Sequence, residues 1–125
     1  MSLIRMRTRN GEYAGELCDS DISDAIWLSL PFTARLNMLG CQIYFEMPLD
    51  FRPDGGGATV FDAGDIAYWP GAGALCIFFG PTPLSGDDGR PVSRYPLIKI
   101  GRVIGDCSSM EDAGDRQTIT IDRSF

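Results

Sequence analysis

The residues able to do chemistry in this chain are few, and their spacing rules out most of it. There are four cysteines, Cys18, Cys41, Cys76 and Cys107, far apart and without a CxxC pair, and there is no histidine. That removes the commonest general base, the commonest metal ligand and every Ser–His or Cys–His nucleophile pair. A zinc site would have to be gathered from scattered cysteines and carboxylates, so no metal is expected. Asp50, Asp54, Asp62 and Asp65 lack the regular spacing and terminal glutamate of a calcium loop, and turn chemistry accounts for them. "DGGG" and "GAGA" do not lead from a strand into a helix, so no phosphate loop and no cofactor are expected.

What remains is aromatic. "GDIAYWPGAGALCIFFGPTP", residues 64–83, sets Tyr68 and Trp69 before a glycine-rich turn and Phe78 and Phe79 after it. On a strand Ile66 and Tyr68 face one way, and Ala67 and Trp69 the other. Cys76 and Phe78 share a face of the next strand, with Leu75, Ile77 and Phe79 opposite. One set is expected to line a barrel lumen and the other to lie under a helix. Leu75, Ile77 and Phe79 are assigned to the core, whereas Tyr68, Trp69 and Phe78 are ligand-binding candidates at a barrel mouth. Tyr44, on the same face as Gln42, joins them. Cys76, inside an apolar strand, is expected to be buried and inert.

These residues need a scaffold. At 125 residues the chain is one domain, 1–125, large enough for its own core. Fifteen glycines and eight prolines, scattered, predict tight connections between short strands. A net charge of −6 argues against nucleic acid or an anionic membrane as partner. The longest apolar run, "ALCIFF", is too short to span a bilayer, and no signal-peptide core follows "MSLIRMRTRN", so a cytoplasmic protein with reduced thiols is expected.

Asn10-Gly11 predicts a hairpin, with Arg9 opposite Glu12, Arg7 opposite Ala14, Thr8 opposite Tyr13 and Ile4 opposite Leu17. Its arginine row reads as a solvated face. "DSDISDAIWLSLP" predicts a helix capped at Asp19, Ser20 or Asp21 and ended by Pro31, with Trp27 as the plug that seats it. "ARLNML", "CQIYFEM", "GDIAYW", "ALCIFFG", "LIKIGRVIGD" and "QTITID" are strands, and "SSMEDAG" is a short helical turn. Residues 48–61 and 81–96 are expected to be loops, the second long enough to be functional or disordered. About eight short strands and one main helix give an all-β, closed or nearly closed barrel.

The order of these segments resembles the cyclophilins. "NGEYAGELCDSDISDAIWLSL" is similar to their opening and "IKIGRVIGDCSSMEDAG" followed by "TITI" to their close. "CQIYFEMP" and the aromatic stretch look more closely like a family of small prokaryotic cyclophilin-like proteins of unknown function. The resemblance implies an eight-stranded closed barrel with one main helix and a short helical turn. It also implies a peptidyl-prolyl isomerase groove lined by an arginine, a glutamine, aromatic rings and a histidine. Arg35 and Gln42 stand where the first two are expected, and Phe78-Phe79 resembles the aromatic strand. The histidine would fall near Leu97 and is missing, as are the strand signatures "FHR" and "QGGD".

Isomerase activity is therefore expected to be absent or far below that of true cyclophilins. The expected function is a non-covalent binding module for a peptide or small ligand at an aromatic groove. One alternative is a vestigial isomerase, with Arg35 as donor to the prolyl nitrogen, Gln42 on the peptide backbone and Phe78 against the proline ring. Plainer accounts make Arg35 a surface strand residue and Phe78 core. A second alternative is an interaction protein whose groove is a homodimer surface.

Overall fold

The computed structural model describes residues 2–47, 49 and 56–124. It is mainly β. The strands are β1 (Ser2–Thr8), β2 (Gly11–Leu17), β3 (Phe32–Arg35), β4 (Asn37–Met38), β5 (Gln42–Glu46), β6 (Ala58–Val60), β7 (Asp65–Trp69), β8 (Ala74–Phe78), β9 (Val92–Ile104) and β10 (Thr118–Arg123). One helix, α1 (Asp21–Ser29), and a 3₁₀ turn at Ser108–Ala113 complete it, as expected. Nine strands lie in the order β3-β10-β1-β2-β9-β7-β8-β5-β4, and β6 adds to β9.

The two end strands, β3 and β4, are consecutive in the chain and separated only by Leu36. One extended segment thus pairs with β10 through its first half and with β5 through its second. Leu36, wholly buried, donates its N–H to Gln117 O at 2.9 Å and accepts from Arg116 N at 3.0 Å. No ladder joins β3 to β4 among the described residues. The sheet comes round on itself through the chain, and hydrogen bonds do not close it as the expected barrel requires.

The first hairpin is shifted from the expected register. Arg7 faces Glu12, Met6 faces Tyr13 and Thr8 faces Gly11, so the turn residues are Arg9 and Asn10. The slip keeps every side chain on its predicted face, because a change of partner by two residues preserves the alternation. Met6 and Tyr13 are buried while Arg5, Arg7 and Arg9 stay in solvent. Contacts from far along the chain hold this turn: the Asn10 amide donates to Ser109 O at 2.7 Å, and Tyr13 Oη lies 2.7 Å from Ser109 Oγ.

Ser20 caps α1, accepting from Ser23 N at 3.1 Å, with Asp21 and Asp24 in the first turn. Ile22 and Ile26 are the residues that seat the helix on the core. Trp27 is only half-buried, with the Arg123 guanidinium 5.3 Å above its ring and donating to Trp27 O at 2.9 Å. The plug is therefore Ile26, and not Trp27 as expected. Trp27→Ala is expected to cost about 1–2 kcal/mol in urea denaturation, short of the loss for a wholly buried ring.

Two expected loops contain strands. Ala58–Val60 pairs with β9, and β9 begins at Val92, five residues before the predicted "LIKIGRVIGD". Ala58 faces Leu97 and Val60 faces Val92, so two steps along β6 match five along β9. The surplus residues form a bulge that includes Arg94 and Tyr95, both exposed.

Candidate functional site

The sheet separates two apolar faces between β5, β8 and β7. Inward lie Ile43, Phe45, Ile66, Tyr68, Leu75 and Ile77, in one core with α1 and the first hairpin, together with Phe79 just beyond β8. Outward lie Ala67, Cys76 and Phe78, covered by Phe61 and Leu97, with Tyr44 and Trp69 packed against them. Leu75, Ile77 and Phe79 are core, as assigned.

A cleft of about 320 Å³ opens on the outward face. Gln42 and Tyr44 enter it from β5, Trp69 from the end of β7, and Val92 to Tyr95 from the start of β9. Leu39, in the turn before β5, and Thr82, Pro83 and Leu84 form the remaining wall. The expected place was a barrel mouth, with one face under the helix. The cleft instead sits on the outside of the sheet, because both α1 and the inward set belong to the other core.

Three rings define it. Tyr95 stacks on Trp69 with centroids 5.3 Å apart and planes at 19°, and Tyr44 meets Trp69 edge-on at 5.9 Å and 68°. Behind them Phe78 stacks on Phe61 at 4.9 Å. The Arg94 guanidinium carbon lies 5.6 Å from the centre of the Tyr95 ring.

The loop wall is pinned by its own hydrogen bonds. Thr82 Oγ1 donates to Val92 O at 2.6 Å and accepts from Val92 N at 3.1 Å, while Ser85 Oγ donates to Arg90 O at 2.7 Å. Gly40 lets this wall meet the β4–β5 turn. It has φ +58°, and a Cβ there would stand 2.9 Å from Pro83 Cδ and 3.2 Å from Pro81 O.

Of the sequence candidates, the structure brings together Gln42, Tyr44 and Trp69. Phe78 is wholly buried and supports the rings from behind, in keeping with its plainer account as core. Tyr68 is a correction: it is 1% exposed on the inward face, because residue 68 must alternate with Trp69. Arg35 is exposed on β3, opposite Thr118, and does not line the cleft. The residues missed are Leu39, Thr82 to Leu84 and Val92 to Tyr95. Pro91 and Pro96 hid the start of β9, since proline argues against a central strand.

Two of the four cysteines, Cys76 and Cys107, are buried. Burial pushes the Cys76 thiol up to about 12, offset in part by a hydrogen bond with Gln42, so it stays protonated and inert. Burial, with the neighbouring Asp106 charge, also raises Cys107. The four cysteines form no disulfide. Asp62 and Asp65 serve their turn: Asp65 Oδ2 accepts from Asp62 N at 2.8 Å, and the two carboxylates pair with Arg90 at 3.1 Å and Lys99 at 3.0 Å. Asp50 and Asp54 lie outside the described residues. Among those described, no three His, Cys, Asp or Glu residues gather to hold a metal.

The family described as Cyclophilin-like matches residues 2–122. The chain belongs to the cyclophilin-like family. Among solved structures, a hypothetical protein from Archaeoglobus fulgidus, determined in solution, superposes with a TM-score of 0.82 at 29% identity, covering 98% of this chain and 95% of that one. No curated protein matches. Within this cyclophilin-like chain the arginine at the cleft is Arg94, from β9, and not the residue that the cyclophilin resemblance singles out. No helix is long and apolar enough to cross a membrane among the described residues.

Proposed function

We propose that this cyclophilin-like protein is a cytoplasmic, non-covalent binding module whose outward cleft takes a small ligand or the apolar side chain of a peptide. The observation that carries this is the Tyr44–Trp69–Tyr95 cluster beside a cleft with an apolar rim. Leu39, Leu84 and Tyr95, which line it, are 49%, 56% and 47% exposed, and large apolar side chains left in water together favour a partner that covers them. Gln42 supplies an amide at the wall, and no paired nucleophile and base stand there among the described residues. The isomerase alternative named Arg35 as its donor, and Arg35 lies outside the cleft.

The test uses Trp69 as reporter. The chain has two tryptophans, so Trp27→Phe leaves Trp69 as the sole emitter. Capped proline dipeptides and small aromatic amides are titrated in. Saturable emission shifts are expected for at least one class, without turnover of proline peptides. Trp69→Ala, followed by NMR, is expected to weaken that binding by about 0.5–1.5 kcal/mol, with stability lowered by about 1 kcal/mol. If no compound perturbs the emission and Trp69→Ala unfolds, the ring is structural and the proposal fails. A concentration-dependent dimer that buries Trp69 would overturn it in favour of a self-association surface.

A further inference from the structure

Among the described residues the cleft carries one charge. Arg94 is the cation among the described lining residues, and no carboxylate lines the cleft with it. Among the described residues, Arg90 is engaged with Asp62 at 3.1 Å and Lys99 with Asp65 at 3.0 Å. Arg94 has no acidic partner within ion-pair distance among the described residues; its guanidinium rests over Tyr95. A guanidinium stacked on a ring still directs its N–H donors outward in its own plane. A chain of net charge −6 repels anions at large, which makes an arginine without an acid beside an apolar cleft a local exception.

Hydrogen bonds between its two neighbours brace the backbone at that arginine. Tyr95 N donates to Ser93 Oγ at 3.2 Å, and the same hydroxyl donates to Tyr95 O at 2.8 Å. Arg94 is the residue enclosed by this clamp, within the register shift of β9. Its neighbour Tyr95 is fixed by stacking on Trp69 at 5.3 Å. The charge is thus presented at the rim of an aromatic slot by a braced turn.

We infer that the cleft selects a small apolar carboxylate, with its ring or chain against Trp69 and Tyr44 and its carboxylate on Arg94. This rests on the binding-module reading and adds the chemical class. A charge-assisted hydrogen bond from arginine is stronger than a neutral one, so an anion should outrank its neutral isostere.

The probes are phenylacetate and phenylacetamide, matched in shape and differing in charge, titrated at pH 7 and followed by backbone amide shifts. Phenylacetate is expected to bind about tenfold more tightly, moving the amides of Gln42, Trp69 and Tyr95. Arg94→Gln is expected to narrow the gap to within about twofold, and Arg94→Lys to restore part of it. Raising the salt should shrink the preference, because Arg94 is exposed. Equal binding of the two compounds, or a preference that survives Arg94→Gln, overturns the anion inference and leaves the binding module standing. Cleft shifts from capped proline dipeptides but from neither probe do the same. Silence from every compound removes both.

Discussion

Tyr68→Ala is expected to lower the free energy of unfolding by about 3–5 kcal/mol, the range for truncating a wholly buried ring. Tyr68 is 1% exposed and belongs to the same inward core as Ile66, Leu75, Phe45 and Ile26. It faces Ile98 on β9 and Leu75 on β8, in a strand bonded on both sides, so neither neighbour can collapse freely into the space left. Its neighbour Trp69 points outward and is half-buried, so Trp69→Ala should cost a fraction as much. Urea denaturation of the two variants makes the comparison directly. The midpoints should separate widely, at similar slopes if both variants keep the native fold. A Tyr68→Ala protein within about 1 kcal/mol of the wild type would mean that the two faces of β7 have been exchanged.

That contrast marks how far alternation along a strand can be taken. It put Tyr68 and Trp69 on opposite sides, and it grouped Leu75 with Ile77 and Phe79, as the structure has them. It did not say which side was inward, because β7 and β8 are apolar on both faces and the outward one is covered by Phe61 and Leu97. The alternation allows only one of the two rings to reach a given site. Gln42 came from the cyclophilin resemblance, and Tyr44 followed from sharing its face on β5. Arg94 and Tyr95 did not, since they stand in a bulge between two prolines, where a strand signal is weakest. The hairpin slip has a similar origin: Asn10-Gly11 is a strong local turn signal, but the native turn is tied by Asn10 and Tyr13 to Ser109, far along the chain. The ends of the sheet were out of reach for the same reason. Nothing in "FTARLNM" announces that its first half will bond β10 and its second half β5.

Gly101→Ala is expected to destabilise the protein by about 3 kcal/mol or more, at or beyond the upper end of ordinary overpacking. Gly101 lies where β9 is bonded on both sides, opposite Leu17 of β2 and Ile66 of β7. A Cβ at this position would stand 2.2 Å from Glu16 O and 3.0 Å from Leu17 Cα. Both obstacles are backbone atoms within the β2–β9 ladder, so relief requires the strands to part, and no side-chain rotation suffices. The strain falls next to the step where Ile66 faces Gly101 but Ala67 faces Lys99, a bulge that lets β9 pass from β7 to β2. Opening that junction would also loosen Val103, whose N–H donates to Gly64 O at 2.6 Å. Gly86→Ala is the control, since Gly86 is exposed in the loop wall and a Cβ there meets nothing within 4 Å. It should change stability by no more than about 0.5 kcal/mol. Calorimetry and amide exchange across β2 and β9 distinguish the outcomes. Should Gly101→Ala melt alongside Gly86→Ala with the β2–β9 amides still protected, the two strands are not as close as described, and the sheet order at its centre is wrong.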